Sequence, residues 1–264
     1  MTYSETDLVD SIERLSGEAV AALSQDQFDR IDQFHAGGPE AVDRLLPTLR
    51  LAPGMTVLDV GAGLGGPARQ VARATGCDVL GVDITPAYVD AARTLTDTAG
   101  LTKHVRFRCT DIAALEATGF DAAYTMHVQM NIADKKAFFA QIAQRLRPGA
   151  RLAVFEVCRV GEAEPAPPLP WSLDGSDSHL TTAEQLQDAI TSCGFELLEW
   201  VDETEWVRRW FDTAAARMGA TDARATLPAL LTDGPTRMMN FAAAIVGGLV
   251  SIHRGAFSLQ RQPA

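Results

Sequence analysis

Lysine is nearly missing from this chain: three lysines accompany twenty arginines in 264 residues, and no run of either builds a basic stripe. With 34 acidic side chains against 23 basic ones and a net charge of -11, the sequence offers little to a phosphate backbone or an anionic bilayer. Nucleic acid and membrane surfaces are therefore excluded as expected partners. A long apolar run is also lacking. The longest, residues 241–252, is too short and too broken by glycine to span a bilayer, and the polar, acidic start has no signal-peptide core. Cysteine is sparse: Cys77, Cys109, Cys158 and Cys193 stand one per element, without metal-ligand spacing, and read as buried reduced thiols. No metal site is expected, and no internal repeat or low-complexity tract occurs. These absences describe a cytoplasmic chain whose hydrophobic content of 47% can fill one sizeable core. The arginine-for-lysine bias is typical of GC-rich coding and suggests a bacterial source.

What the sequence does have is concentrated between Val57 and Gly66, Val-Leu-Asp-Val-Gly-Ala-Gly-Leu-Gly-Gly. Val57, Leu58 and Val60 read as a buried strand; Gly61, Gly63, Gly65 and Gly66 permit a sharp turn and close ligand approach; Pro67 suits the first turn of a helix. A strand, tight turn and helix in that order aim unpaired amides at a polar or anionic ligand over a sheet's carboxyl edge. Gly61, Gly63 and Gly66 also satisfy the spacing used for dinucleotides, so the glycines alone leave the cofactor open. Asp59, two residues before the turn, suits a cationic aminoacyl group better than a pyrophosphate and favours S-adenosylmethionine. Asp83 closes the next apolar strand where a carboxylate accepts ribose hydroxyls. Asp111 and Ile112 follow the third, suited to an adenine amine and, together with Ile84, to its ring.

Here the sequence resembles the class I S-adenosylmethionine-dependent methyltransferases over roughly residues 28–202. The resemblance rests on Val57–Gly66, Gly81-Val-Asp83, Thr110-Asp-Ile112, the Phe120-Asp-Ala-Ala-Tyr124 strand and Leu146-Arg-Pro-Gly-Ala-Arg-Leu152. Asp32-Gln-Phe-His-Ala-Gly-Gly38 and His127-Val-Gln-Met-Asn-Ile-Ala-Asp134 look like the branch of sarcosine/dimethylglycine N-methyltransferases and tocopherol or quinone C-methyltransferases. It implies a Rossmann-like α/β fold: a mostly parallel seven-stranded sheet with helices on both faces, an N-terminal helical cap (1–50) and a catalytic domain (51–264) in one compact unit. A helical insertion is expected at about 205–254, with a final strand at 256–260. Cofactor contacts are expected from Asp59, Gly61, Gly63, Gly65, Asp83, Ile84, Asp111, Ile112, His127 and, by the resemblance, Gly38.

Helix signals fill in the rest. Residues 4–24 carry an amphipathic pattern, residues 39–49 form a helix after Gly37-Gly38, and Thr181 with Glu184 matches a capping box for the helix ending at Gly194. The proline-rich stretch 161–179, with Trp171 at its middle, reads as an ordered lid after the fifth strand.

Methyl transfer asks a protein for alignment, desolvation and, for a protonated nucleophile, a base. His127, directly after the fourth strand, is placed to serve as base or substrate contact; His35 is a second candidate from the resemblance. Glu156 on the fifth strand would hold a substrate ammonium or pair with Arg159 or Arg151. Gln33, Gln129, Met130, Asn131 and Trp171 complete the expected substrate contacts. Trp206 and Trp210 read as core, and His104, His179 and His253 as surface or capping residues. The expected acceptor is a small molecule, an amine nitrogen being favoured over a phenol or quinol oxygen or an aromatic carbon, and a homodimer is possible. Two other readings share the glycine turn: an NAD(P)-dependent oxidoreductase, which lacks an obvious catalytic Tyr/Lys pair, and a non-catalytic S-adenosylmethionine-binding regulator.

Overall fold

The computed structural model describes residues 5–220 and 226–260. Helix α1 (Leu8–Ser16) and the short α2 (Gln25–Asp29) precede α3 (Gly38–Leu49). Strands and helices then alternate: β1 (Thr56–Val60), α4 (Gly66–Thr75), β2 (Asp78–Asp83), α5 (Pro86–Thr98), β3 (Val105–Cys109), β4 (Phe120–Met126), α6 (Lys135–Arg145), β5 (Leu146–Arg159), α7 (Ala183–Thr191) and β6 (Phe195–Asp202). Among the described residues, α8 (Thr204–Ala220), α9 (Leu227–Leu230) and α10 (Gly234–Val246) separate β6 from β7 (Val250–Leu259).

The described strands form one seven-stranded sheet in the order β3-β2-β1-β4-β5-β7-β6. β1 to β5 are parallel, and β7 enters antiparallel between β5 and β6. The strand order reverses between β1 and β4, the place where parallel sheets open a crevice at their carboxyl ends. Period-two alternation assigns the faces. Val57 packs with α3, α4 and α5 through Val42, Leu45, Val71 and Val89, whereas Leu58 and Val60 pack with α6 and α7 through Phe139, Ile142 and Leu186. Asp59 necessarily shares the Val57 face.

Several expected boundaries move. The pattern over 4–24 is not one helix: Gly17, at φ 74°, caps α1, and a single 3-10 turn at 20–22 follows. Its apolar residues Leu8, Ile12 and Val20 still share a small core with Phe28, Tyr88 and Leu230. The capping box of α7 is made by Thr182 and Gln185, because the Thr181 carbonyl is used by the Arg159 amide at 2.9 Å. β7 starts at Val250, six residues before the expected strand, since pairing of Val250 to Ser258 with β5 outweighs the helix-like composition. Residues 221–225 of the expected insertion and 261–264 of the expected domain lie outside the described residues. All four cysteines are free, but only Cys77 and Cys158 are buried; Cys109 is exposed. His253 is buried against Trp200, 5.3 Å between ring centroids, rather than on the surface. Among the described residues no helix is long and apolar enough to cross a membrane.

Candidate active site

The glycine turn after β1 is drawn tightly against the end of β2. The Gly61 and Ala62 amides both donate to the Val82 carbonyl at 2.8 and 3.0 Å, and the Gly63 amide donates to the Asp83 carboxylate at 2.9 Å. Asp83 also accepts the Thr85 amide at 2.9 Å. Gly61 sits at φ 80°, and a Cβ there would run into the Val128 side chain. No other residue fits that position. Above the turn a cavity of about 200 Å³ opens over the strand ends. Gly61, Gly63, Asp83, Ile84, Asp111 and Ile112 line one half of it. Ile84 is 70% exposed there, an apolar side chain held in the open where a planar ring would cover it. A glycine cradle, two carboxylates at successive strand ends and an apolar flank fit the nucleoside and amino-acid parts of S-adenosylmethionine.

The other half lies over β4 and is lined by Phe34, His35, Met126, His127, Met130 and Trp171, among others. His127 follows β4 directly at φ 55°, its amide bonded to the Phe155 carbonyl at 2.9 Å. A positive φ on a non-glycine residue is uncommon, although histidine tolerates it better than most. The imidazole stacks on Phe155 with ring centroids 5.8 Å apart and meets Phe241 edge-on at 5.9 Å, and its Nε2 is buried without a hydrogen-bond partner. Burial, with His35 adding to it, holds His127 well below the usual histidine value. His35 is driven down to about 4 by burial. Both rings are therefore neutral at pH 7.

His35 is fully engaged. Its Nδ1 donates to the Ala36 carbonyl at 3.1 Å, which leaves Nε2 as an acceptor 3.0 Å from the Gln33 amide. Gln33 must present its NH₂ to that nitrogen, which also gives the otherwise orphaned Gln33 Nε2 its partner. Turned this way, Gln33 occupies the Nε2 lone pair, which leaves His35 none for a base.

Several other expected site residues stand back from the cavity. Asp59 is buried on the Val57 face beside Tyr124 and Arg69, where desolvation lifts its carboxyl to about 7. Gly65 packs against Phe107, and Gly38 opens α3 under Trp210, whose indole N–H donates to Glu40 at 2.7 Å. Gln129 is wholly buried. Trp206 and Trp210 are half-buried at the core's edge, with Arg44 stacked 4.3 Å over Trp206.

Glu156 is not among the residues lining the cavity, and it pairs with neither Arg159 nor Arg151. Its carboxyl, fully buried, accepts the Thr125 hydroxyl at 2.6 Å and the Val128 and Gln129 amides at 2.9 and 3.3 Å, fixing the turn that carries His127. Burial outweighs those bonds and raises it to about 7. A carboxyl raised by folding contributes most below its unfolded value and loses that contribution as pH climbs through the folded one. The stability of the wild type relative to Glu156→Gln is therefore expected to fall between about pH 5 and 8 in urea titrations. A pH-independent gap would rule this out.

The cavity's roof comes from residues that sequence reasoning did not single out: Leu227 and Leu231 around α9, Met238 and Phe241 on α10, and Tyr88 on α5. The Leu227 amide donates to the Arg30 carbonyl at 2.8 Å. Glu5 accepts the Tyr88 hydroxyl at 2.8 Å and the Thr232 amide at 3.1 Å and lies 3.6 Å from the buried Arg237. Arg237 in turn donates to the Leu169, Pro170 and Thr232 carbonyls, tying the Trp171 loop to α10. Trp171 is wholly buried, its indole N–H donating to Ser178 at 3.0 Å, so this loop is a fastened wall. Amphipathic helices announce an apolar face, but not which cavity that face will cover.

The strand order, the glycine turn and the carboxylates at the ends of β2 and β3 define the class I S-adenosylmethionine-dependent methyltransferase fold. Residues 57–149 match a family described as a methyltransferase domain. It is similar to the O-methyltransferase cnsE of Penicillium expansum, 30% identical over 65% of this chain and 64% of that protein. It is 29% identical to the methyltransferase GfsG of Streptomyces halstedii, over 77% of this chain and 73% of that one. Among solved structures the cyclase SpnF superposes with a TM-score of 0.64 at 25% identity, covering 85% of this chain and 82% of that one. The chain spans a little under two thirds of the length of the fungal O-methyltransferases it matches.

Proposed function

We propose that this protein transfers the methyl group of S-adenosylmethionine to a small-molecule acceptor. The observation that carries the reading is one continuous cavity: Gly61, Gly63, Asp83 and Asp111 line one half, and His127 lines the other. Asp83 and Asp111 would hold the ribose and adenine, and Ile84 and Ile112 would flank the ring. The sulfonium supplies an activated methyl when bound; the chain's own part is to align the acceptor beneath the roof, exclude water and receive a proton. The methyltransferase names of the relatives support this reading over the oxidoreductase one. The four unpaired thiols and the net charge of -11 support work in a reducing cytoplasm, away from nucleic acid.

The test is ligand-linked stability. S-adenosylmethionine and S-adenosylhomocysteine at about 100 times their dissociation constants should stabilise the fold by about 2.7 kcal/mol, raising Tm, while NAD and NADP should not. Equal stabilisation by NAD would sink the proposal. Formation of S-adenosylhomocysteine in the presence of an acceptor separates an enzyme from a binding protein.

A further inference from the structure

Among the described residues, none that lines the acceptor half of the cavity carries an ionic side chain. Phe34, Met130, Trp171, Leu231, Met238 and Phe241 form its walls, and the charged residues lining the cavity, Asp83 and Asp111, both stand at the cofactor half. Other charges buried in this region are turned to protein partners, Lys135 among them through the Ile132 and His179 carbonyls. Glu156 is taken by Thr125 and the 128–129 amides, Arg237 by carbonyls and Glu5, and Asp32 by Arg69 at 2.7 Å. An ammonium, carboxylate or phosphate group placed among these walls would lose its water without gaining a counter-ion.

The polar groups of this half are mostly committed as well. Asn131 donates to the Trp171 and Asp177 carbonyls, the Tyr88 hydroxyl to Glu5, and His35 is closed off by Ala36 and Gln33. His127 differs. Its ring stacks on Phe155 and meets Phe241 and His35 edge-on, and its Nε2 has no hydrogen-bond partner among the described residues. The titratable groups around it are His35, in front, and Glu156, behind the turn.

Building on the methyltransferase reading, we propose that the acceptor is an uncharged, largely apolar molecule bearing a hydroxyl group, and that His127 takes the hydroxyl proton. The hydroxyl oxygen forms its bond to the methyl carbon as the carbon–sulfur bond breaks, and that electron pair stays on sulfur as the thioether. The O–H proton passes to the imidazole and from there to water. This replaces the amine acceptor that the sequence favoured, for which the described residues of the acceptor half supply no carboxylate.

The experiment compares three probes of one shape, 4-pentylphenol, 4-pentylbenzylamine and 4-pentylbenzoate, by calorimetry on the protein saturated with S-adenosylhomocysteine. Methyl transfer to each is then followed with S-adenosylmethionine. The phenol is expected to bind at least about tenfold more tightly than either charged probe and to yield the methyl ether. Its turnover should be flat between about pH 6 and 8, because the base is already neutral, whereas an amine acceptor would give a rate rising with pH. His127→Asn, which tolerates the positive φ, should lower turnover at least about hundredfold while changing S-adenosylhomocysteine affinity far less; His127→Gln should do the same. Tighter binding of a charged probe, no preference or no binding at all would overturn the proposal, as would near-normal turnover in both variants. Failure to bind S-adenosylhomocysteine would instead refute the methyltransferase reading beneath it.

Discussion

Replacing Asp32 by alanine should lower the unfolding free energy by about 3–5 kcal/mol, a fall in Tm on the order of 10 °C. The carboxylate lies 2.7 Å from the Arg69 guanidinium, and both side chains are about 1% exposed. Arg69 keeps its bonds to the Leu64 and Ala92 carbonyls and the Thr96 hydroxyl, but its charge cannot be discarded and would lose its ion-pair partner, with the buried Asp59 carboxyl left nearby. Arg69→Met should be milder, because an isolated Asp32 can take up a proton while a guanidinium cannot lose one. Urea unfolding of the two variants tests the order. A loss under about 1 kcal/mol for Asp32→Ala would show that the pair contributes little. The damage should also reach the site, since Asp32 begins the segment that carries Phe34 and His35 to the cavity.

Asp83→Ala should weaken binding of S-adenosylmethionine about a hundredfold, roughly 2.7 kcal/mol. Each hydrogen bond to a charged group contributes about 1.5–3 kcal/mol, and two ribose hydroxyls would lose theirs. The carboxylate also positions the cradle through the Gly63 and Thr85 amides, so the glycine turn loosens along with the contact. Asp83→Asn retains an acceptor and should lose only about tenfold. Calorimetric dissociation constants, with Tm measured alongside to establish folding, decide the matter. An unchanged constant for Asp83→Ala would remove this residue from the cofactor's contacts.

The parallel half of the sheet was legible because its apolar runs end at chemically distinctive residues: Val60 at the glycines, Val82 at Asp83, Cys109 near Asp111 and Met126 at His127. Asp59 was assigned to the cofactor by proximity in sequence, yet the alternation that puts Val57 on the α3–α5 face puts Asp59 there too. That signal was present and was outweighed by the motif. Gly66 shows the reverse problem. Its missing side chain looked like ligand clearance, but a Cβ there would collide with Asp32, so the glycine serves the buried ion pair. No local pattern announces such a contact, because Asp32 is 34 residues away. Glu156 was misread for a related reason: a carboxyl at a strand end serves a ligand or a neighbouring turn equally well until the turn's amides are located.

The roof has a consequence for how the chain can be shortened. It joins segments far apart in sequence, Glu5 and Arg30 on one side and Leu227, Thr232 and Arg237 on the other. Glu5 accepts from Tyr88 and Thr232 and faces Arg237, so a carboxylate ahead of α1 ties α5 to the segment around α9 and α10. Deleting the residues before α1 would take this counter-ion from the buried Arg237 and loosen the wall that Leu231, Met238 and Phe241 give to the cavity. The cavity is thus shaped partly by a side chain that does not line it.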